Sequence, residues 1–136
     1  MRINFTIPGK PQGKGRPRFD TQTGKVYTPK KTSDYEARVR ILYQIAAKGY
    51  IFPLGVPICI QIMAYYPMAK KMKADRAGHY SLVKPDIDNV SKIVLDGLNG
   101  VAYHDDNQIA MLMARKMNAP GNGDCVEVSI YELSDE

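Results

Sequence analysis

The sequence predicts an α/β domain of the α+β kind, a small mixed sheet of about four main strands packed by two helices. Three observations predict it. Four segments alternate apolar and polar residues with period 2; two segments carry apolar residues at helical spacing; and the two kinds of pattern are interleaved along the chain. The 136 residues are 44% hydrophobic and hold no internal repeat, linker or low-complexity tract, so one domain over 1–136 is expected.

Arg2 to Ile7 alternates strictly and is closed by Pro8, which predicts the first strand. Residues 9–18, GKPQGKGRPR, have no apolar periodicity and predict a basic loop. Phe19 to Tyr27 predicts a short hairpin around Thr23-Gly24. Ser33 followed by Glu36 fits a capping box, so a helix is expected from Ser33 to Lys48, with Gly49 as its stop. Val56 to Tyr66 predicts a strand with Ile58, Ile60, Ile62 and Ala64 on one face. Residues 67–84 are basic and aperiodic and predict a long functional or mobile loop.

A second helix is expected from Asp86 to Leu98, with Asp86 at the N-cap and Ile87, Val90, Val94 and Leu98 as its apolar stripe. Asn99-Gly100 closes it. Gln108 to Met117 and Val126 to Leu133 alternate again, and the segment containing Pro120, Gly121 and Gly123 predicts a hairpin turn between them.

The formal charge is +5 and is unevenly spread. Residues 1–48 hold eleven Lys/Arg against three Asp/Glu, while the rest of the chain has an acidic balance. A second basic patch, Lys70, Lys71, Lys73, Arg76 and Lys84, lies within the acidic part. Such flanks favour a polyanion. Lys14, Arg16 and Arg18 in the Gly/Pro loop are the leading expected contacts to such a polyanion; Lys30, Lys31, Lys70, Lys71 and Lys73 extend the same surface. Contacts of this kind position a duplex without reading its sequence. Two cysteines, Cys59 and Cys125, give no disulfide scaffold. No apolar run approaches the ~20 residues a membrane span needs, and the opening residues do not read as a secretory leader. A cytoplasmic protein with no membrane partner is expected.

The chemistry is concentrated in residues 84–108, KPDIDNVSKIVLDGLNGVAYHDDNQ, which carry Asp86, Asp88, Asp96, Asp105 and Asp106. Asp86 and Asp88 at a helix start have a bland explanation, since the dipole favours acids there by about 0.3–1 kcal/mol each. Asp88, Lys92 and Asp96 fall at i, i+4 and i+8, one polar ridge opposite the apolar stripe. Carboxylates brought together from this helix and from Asp105-Asp106 would repel by roughly 4 kcal/mol per pair at ~4 Å and an effective dielectric of ~20. Such a cluster must protonate or bind a cation. All-oxygen donors suit Mg²⁺ or Mn²⁺ rather than Zn²⁺, and a carboxylate-held Mg²⁺ beside basic flanks is equipment for phosphodiester hydrolysis.

The segments PDIDNVSK, LDGLNG and HDDNQ, in this order and spacing, resemble the signature of the RusA family of Holliday-junction resolvases. The resemblance covers residues 84–108 and is supported by the order of elements around it. It implies a RusA-like endonuclease domain: a Mg²⁺-dependent, structure-selective endodeoxyribonuclease that resolves four-way DNA junctions by paired nicks in recombination and repair. It also implies a homodimer, and the family's frequent prophage origin. Carried over by position, it puts the metal ligands at Asp86, Asp88 and Asp106, with Asp105 a weaker metal candidate, and the catalytic lysine at Lys92. The alternatives are a basic DNA-binding module whose aspartates only cap a helix, and a metal-dependent nuclease for other branched DNA.

Overall fold

The structure, a computed structural model, describes residues 1–134. Its elements run β1 (Arg2–Pro8), β2 (Arg18–Phe19), β3 (Val26–Tyr27), α1 (Lys30–Ala47), β4 (Ile58–Tyr66), α2 (Ile87–Leu98), β5 (Ile109–Asn118) and β6 (Cys125–Glu132), with short 3₁₀ turns at Ala74–Arg76 and Asp106–Gln108. This is the expected mixed α+β architecture. Four strands form one sheet in the order β1-β6-β4-β5. β6 runs antiparallel to both its neighbours, and β5 is parallel to β4.

Period-2 alternation gives the sheet one apolar face. Ile3, Phe5 and Ile7 of β1, Ile58, Ile60, Ile62 and Ala64 of β4, and Val126, Val128 and Ile130 of β6 are all buried. They form one core with Tyr35, Val39 and Tyr43 of α1 and Val90, Ile93, Val94 and Leu98 of α2. Phe5 meets the Tyr43 ring edge-on at 5.8 Å. The two helices approach closely at Gly97, where a Cβ would lie 2.9 Å from Val39 Cβ and 3.0 Å from the Glu36 carbonyl oxygen. The sequence therefore needs a residue without a side chain at that crossing.

Several local expectations are corrected. α1 starts at Lys30, behind Pro29, so Ser33 is inside the helix and its hydroxyl donates to the Lys30 carbonyl instead of capping. Pro29 suits this entry, because a proline is tolerated where the first helical N–H groups have no partner anyway. α1 ends at Lys48 and Gly49, both with positive φ, as the glycine stop predicts. Ile87 is exposed rather than part of the buried stripe, which instead runs through Val90, Ile93, Val94, Gly97 and Leu98.

The link from β5 to β6 is not a hairpin. β4 lies between these strands, so residues 119–124 cross over it. Residues 67–84 are only partly irregular. They contain the 3₁₀ turn, and Tyr80 bridges Met117, with Gly78 N donating to Asn118 O and Ser81 N to Lys116 O. This segment covers the end of β5's outer edge and leaves residues 109–115 of that edge unpaired among the described residues. β2 and β3 form the expected small ribbon, exposed along its whole length. Cys59 is buried, Cys125 half-buried, and both are free thiols. No helix of the described residues is long and apolar enough to cross a membrane.

Candidate active site

α2 does not cover the apolar face of β5 completely. The gap is a cavity of about 700 Å³, floored by Ile109, Leu112 and Ala114 and walled by α2. Ile87 and Leu95 contribute apolar wall; Asp88, Ser91, Lys92 and Asp96 contribute the polar ridge read from the sequence. Asp106 closes the rim from the other side. The second aspartate of the HDD triplet therefore shares a cavity with the first turn of α2.

What puts Asp106 there is Gln108. Its side chain is buried, and its Oε1 accepts from His104 N at 2.8 Å and Asp105 N at 3.2 Å. Its Nε2 donates to Pro53 O at 2.8 Å and Val56 O at 3.2 Å. One amide thus ties the HDDN turn to the segment that leads into β4. Gln108 had been expected merely to start a strand; instead it is the last residue of the 3₁₀ turn. Asp105 caps that turn by accepting from Asn107 N at 3.1 Å, completing a capping box with Gln108. The pair of aspartates divides its labour: Asp105 holds the turn, while Asp106 faces the cavity. The sequence signal was an Asp-x-x-Gln capping pattern, the same kind of pattern sought at Ser33.

Asp86 occupies the N-cap position of α2, yet its carboxylate makes no capping hydrogen bond. It lies just outside the cavity lining, near Tyr66, whose hydroxyl donates to the Pro85 carbonyl at 2.6 Å. Burial, reinforced by the Asp86 charge, pushes the Tyr66 hydroxyl up to about 12. Tyr103 is shifted upward too, first by burial and then by the charges of Asp106 and Asp96; its hydroxyl donates to the Leu95 carbonyl at 2.6 Å. This buried tyrosine braces the C-terminal half of α2.

The ion pairs do not follow the simple helical ladder. Among the described residues they are Lys14–Glu36, Lys14–Asp96 and Lys30–Asp34. Lys92 is exposed, lines the cavity and makes no ion pair with Asp88 or Asp96 among the described residues. Asp88 and Asp106 line the same cavity, and neither is in an ion pair among the described residues. Lys14, expected to contact DNA, is held in the free chain by two carboxylates: its Nζ lies 2.7 Å from Glu36 and 2.9 Å from Asp96. Burial acts to lower its pKa, but hydrogen bonds and charge from Glu36 and Asp96 outweigh this and hold it above the usual lysine range. Asp96 is accordingly engaged by Lys14.

The carboxylate oxygens present the hard donors that a divalent cation takes. No set of three His, Cys, Asp or Glu groups is close enough to hold an ion as it stands, among the described residues. Carboxylate oxygens are the donor type Mg²⁺ or Mn²⁺ takes; Asp88 and Asp106 line one cavity, and Asp86 is two residues before Asp88, outside the lining. Of the other basic residues, Arg16, Arg18 and Lys31 wall a second cleft of about 430 Å³ with Gln12, Gly13 and Gly15. Lys70, Lys71 and Lys73 are exposed, and Lys30 makes a loose surface pair with Asp34 at 3.7 Å.

The family model for endodeoxyribonuclease RusA matches residues 8–131, nearly the whole of this fold. The chain belongs to the RusA endodeoxyribonuclease family. It is 32% identical to a Bacillus subtilis protein, Uncharacterized protein YqaN, with 97% of each chain covered. It is 26% identical to a crossover junction endodeoxyribonuclease, rusA, of Lactococcus phage r1t, covering 79% of this chain and 77% of the phage protein. A nuclease is the activity that this RusA membership supports, and Asp88, Asp96 and Asp106 line the cavity between α2 and β5.

Proposed function

We propose that this protein is a Mg²⁺-dependent, structure-selective endodeoxyribonuclease that resolves four-way DNA junctions by paired nicks in recombination and repair. The observation that carries the reading is the meeting of Asp106 with Asp88 and Lys92 around one cavity, from segments separated along the chain. Asp86, Asp88 and Asp106 would hold the ion, Mg²⁺ or Mn²⁺. When bound, the metal supplies an activated water and stabilises charge on the scissile phosphate. Lys92 places its ammonium against that phosphate as charge builds. Tyr103 and Gln108 keep the two walls fixed, so that little reorganisation is needed during reaction. Arg16, Arg18 and Lys31, with Lys30, Lys70, Lys71 and Lys73, grip the flanking backbone.

A homodimer matches the two-fold character of a four-way junction. β5 supports a second copy: among the described residues its outer edge is open over 109–115, and Met111 and Met113, which do not line the cavity, are exposed at 46% and 42%. An open apolar edge of this kind is a template for pairing with an identical strand. The relative from a lactococcal phage fits a prophage origin.

The test is incubation with an end-labelled mobile four-way junction, with and without Mg²⁺, mapping cuts on all four strands. Symmetric nicks on two opposed strands, dependent on Mg²⁺, are expected. Equal cutting of linear duplex would remove the junction preference and keep the nuclease; binding without any cutting would favour the DNA-binding module.

A further inference from the structure

The loop between β1 and β2 is fastened more firmly than a Gly/Pro-rich basic loop requires. Gly9 N donates to Asp124 O at 3.1 Å, Lys14 N to Asn89 O at 3.0 Å, and Gly15 N to Thr32 Oγ1 at 3.1 Å. Gly13 lies so close to the start of α2 that a Cβ there would come within 2.8 Å of Pro85 Cβ and 3.3 Å of Asn89 Cβ. The loop therefore touches the residues immediately flanking Asp86 and Asp88. At its centre, the Lys14 ammonium bridges Glu36 of α1 and Asp96 of α2, with side-chain exposures of 20%, 17% and 34% for the three residues. Arg16 and Arg18 follow directly and open into the second cleft. Asp96 lines the main cavity with Asp88, Lys92 and Asp106. A single ammonium thus joins the basic cleft to the acidic cavity.

We propose that Lys14 is a positioning residue: it pins the Arg16–Arg18 loop beside the cavity, keeps Asp96 out of the ion-binding set, and so fixes which phosphodiester reaches Asp88 and Asp106. The inference rests on the nuclease reading above for its consequence, but not for its geometry. A surface phosphate contact would leave the ammonium directed at solvent. Here two carboxylates already engage it, and it is mostly buried. The backbone bonds of Gly9, Lys14 and Gly15 each tie the loop to one segment, whereas the Lys14 side chain reaches both helices at once, and small displacements of a reacting group are costly in rate.

The experiment compares Lys14→Met, Lys14→Arg, Glu36→Gln and the Arg16→Ala/Arg18→Ala double variant with the wild type. Amide hydrogen exchange on the free protein, without DNA or metal, should show exchange over residues 10–18 faster by at least about tenfold in Lys14→Met, with a smaller rise in Glu36→Gln and partial rescue in Lys14→Arg. Junction affinity measured in EDTA against salt should keep the wild-type slope in Lys14→Met. The Arg double variant should lose roughly 0.9 of slope for each phosphate contact removed. On a labelled junction with Mg²⁺, Lys14→Met cuts should spread over neighbouring phosphodiesters. Unchanged exchange, a slope lowered by about one in Lys14→Met, or an unshifted single cut would each overturn the proposal. If the wild type cuts no DNA, the nuclease reading fails, and the exchange comparison still decides the clasp; if Lys14→Met fails to fold, Glu36→Gln decides it.

Discussion

Replacing Gln108 with methionine keeps the length of the side chain and removes every hydrogen bond it makes. Four bonds are lost: two accepted by Oε1 from His104 N and Asp105 N, and two donated by Nε2 to Pro53 O and Val56 O. Each is worth about 1 kcal/mol net, and a buried partner left unsatisfied costs about 1–3 kcal/mol. His104, Asp105 and Pro53 lie at an exposed edge, so water re-satisfies part of the loss. The expected destabilisation is about 2–4 kcal/mol, measured by urea unfolding. The local signature matters more than the total. The amides of His104 and Asp105 should lose their protection from exchange, and nicking should fall more than the folded fraction does, because Asp106 is no longer held at the rim. A variant within about 0.5 kcal/mol of wild type, the usual range for an inconsequential surface change, with both amides still protected, would refute this account of how Asp106 is placed.

Further outcomes follow from the packing. Gly97→Ala should destabilise by about 1–3 kcal/mol despite alanine's better helix propensity, because its Cβ meets Val39 and the Glu36 carbonyl; unfolding measurements check the sign. Tyr35, Tyr43 and Tyr66 are pushed up to about 12, in each case chiefly by burial. Since their folded pKa lies above the unfolded value near 10, they keep protons that the unfolded chain has lost. Their contribution is intact below about pH 10 and is lost as pH rises towards about 12. Ultraviolet titration should show exposed tyrosines ionising first and these three only as ellipticity collapses. The proposed pairing through β5 predicts that light scattering finds a dimer for the wild type and a monomer for Met111→Lys combined with Met113→Lys, with the fold intact because both side chains are exposed in the single chain.

The elements visible in the sequence are those whose burial imposes a simple period. β1, β4 and β6 each bury alternate residues, and α2 buries one stripe, so local pattern reported them. Sheet order was hidden, because Pro120, Gly121 and Gly123 make a convincing local turn, whereas the pairing of β6 with β4 is set by distant residues. The acidic cavity was half visible. The i, i+4, i+8 ridge on α2 followed from helical geometry, and the Asp-x-x-Gln pattern held the information that Asp105 caps while Asp106 faces inward. The ion pairs of Lys14 were not legible because a basic Gly/Pro loop has the same composition whether it is solvated or pinned. Its partners, Glu36 and Asp96, lie on two different helices.

The central claim is that Asp88 and Asp106 serve one divalent ion. Titrating Mn²⁺ into the wild type and into Asp88→Asn, Asp106→Asn and Asp105→Asn, with bound ion counted by electron paramagnetic resonance, tests it most directly. The account predicts that a site present in the wild type is lost in the Asp88 and Asp106 variants and survives in Asp105→Asn. Undiminished binding in Asp106→Asn would contradict it.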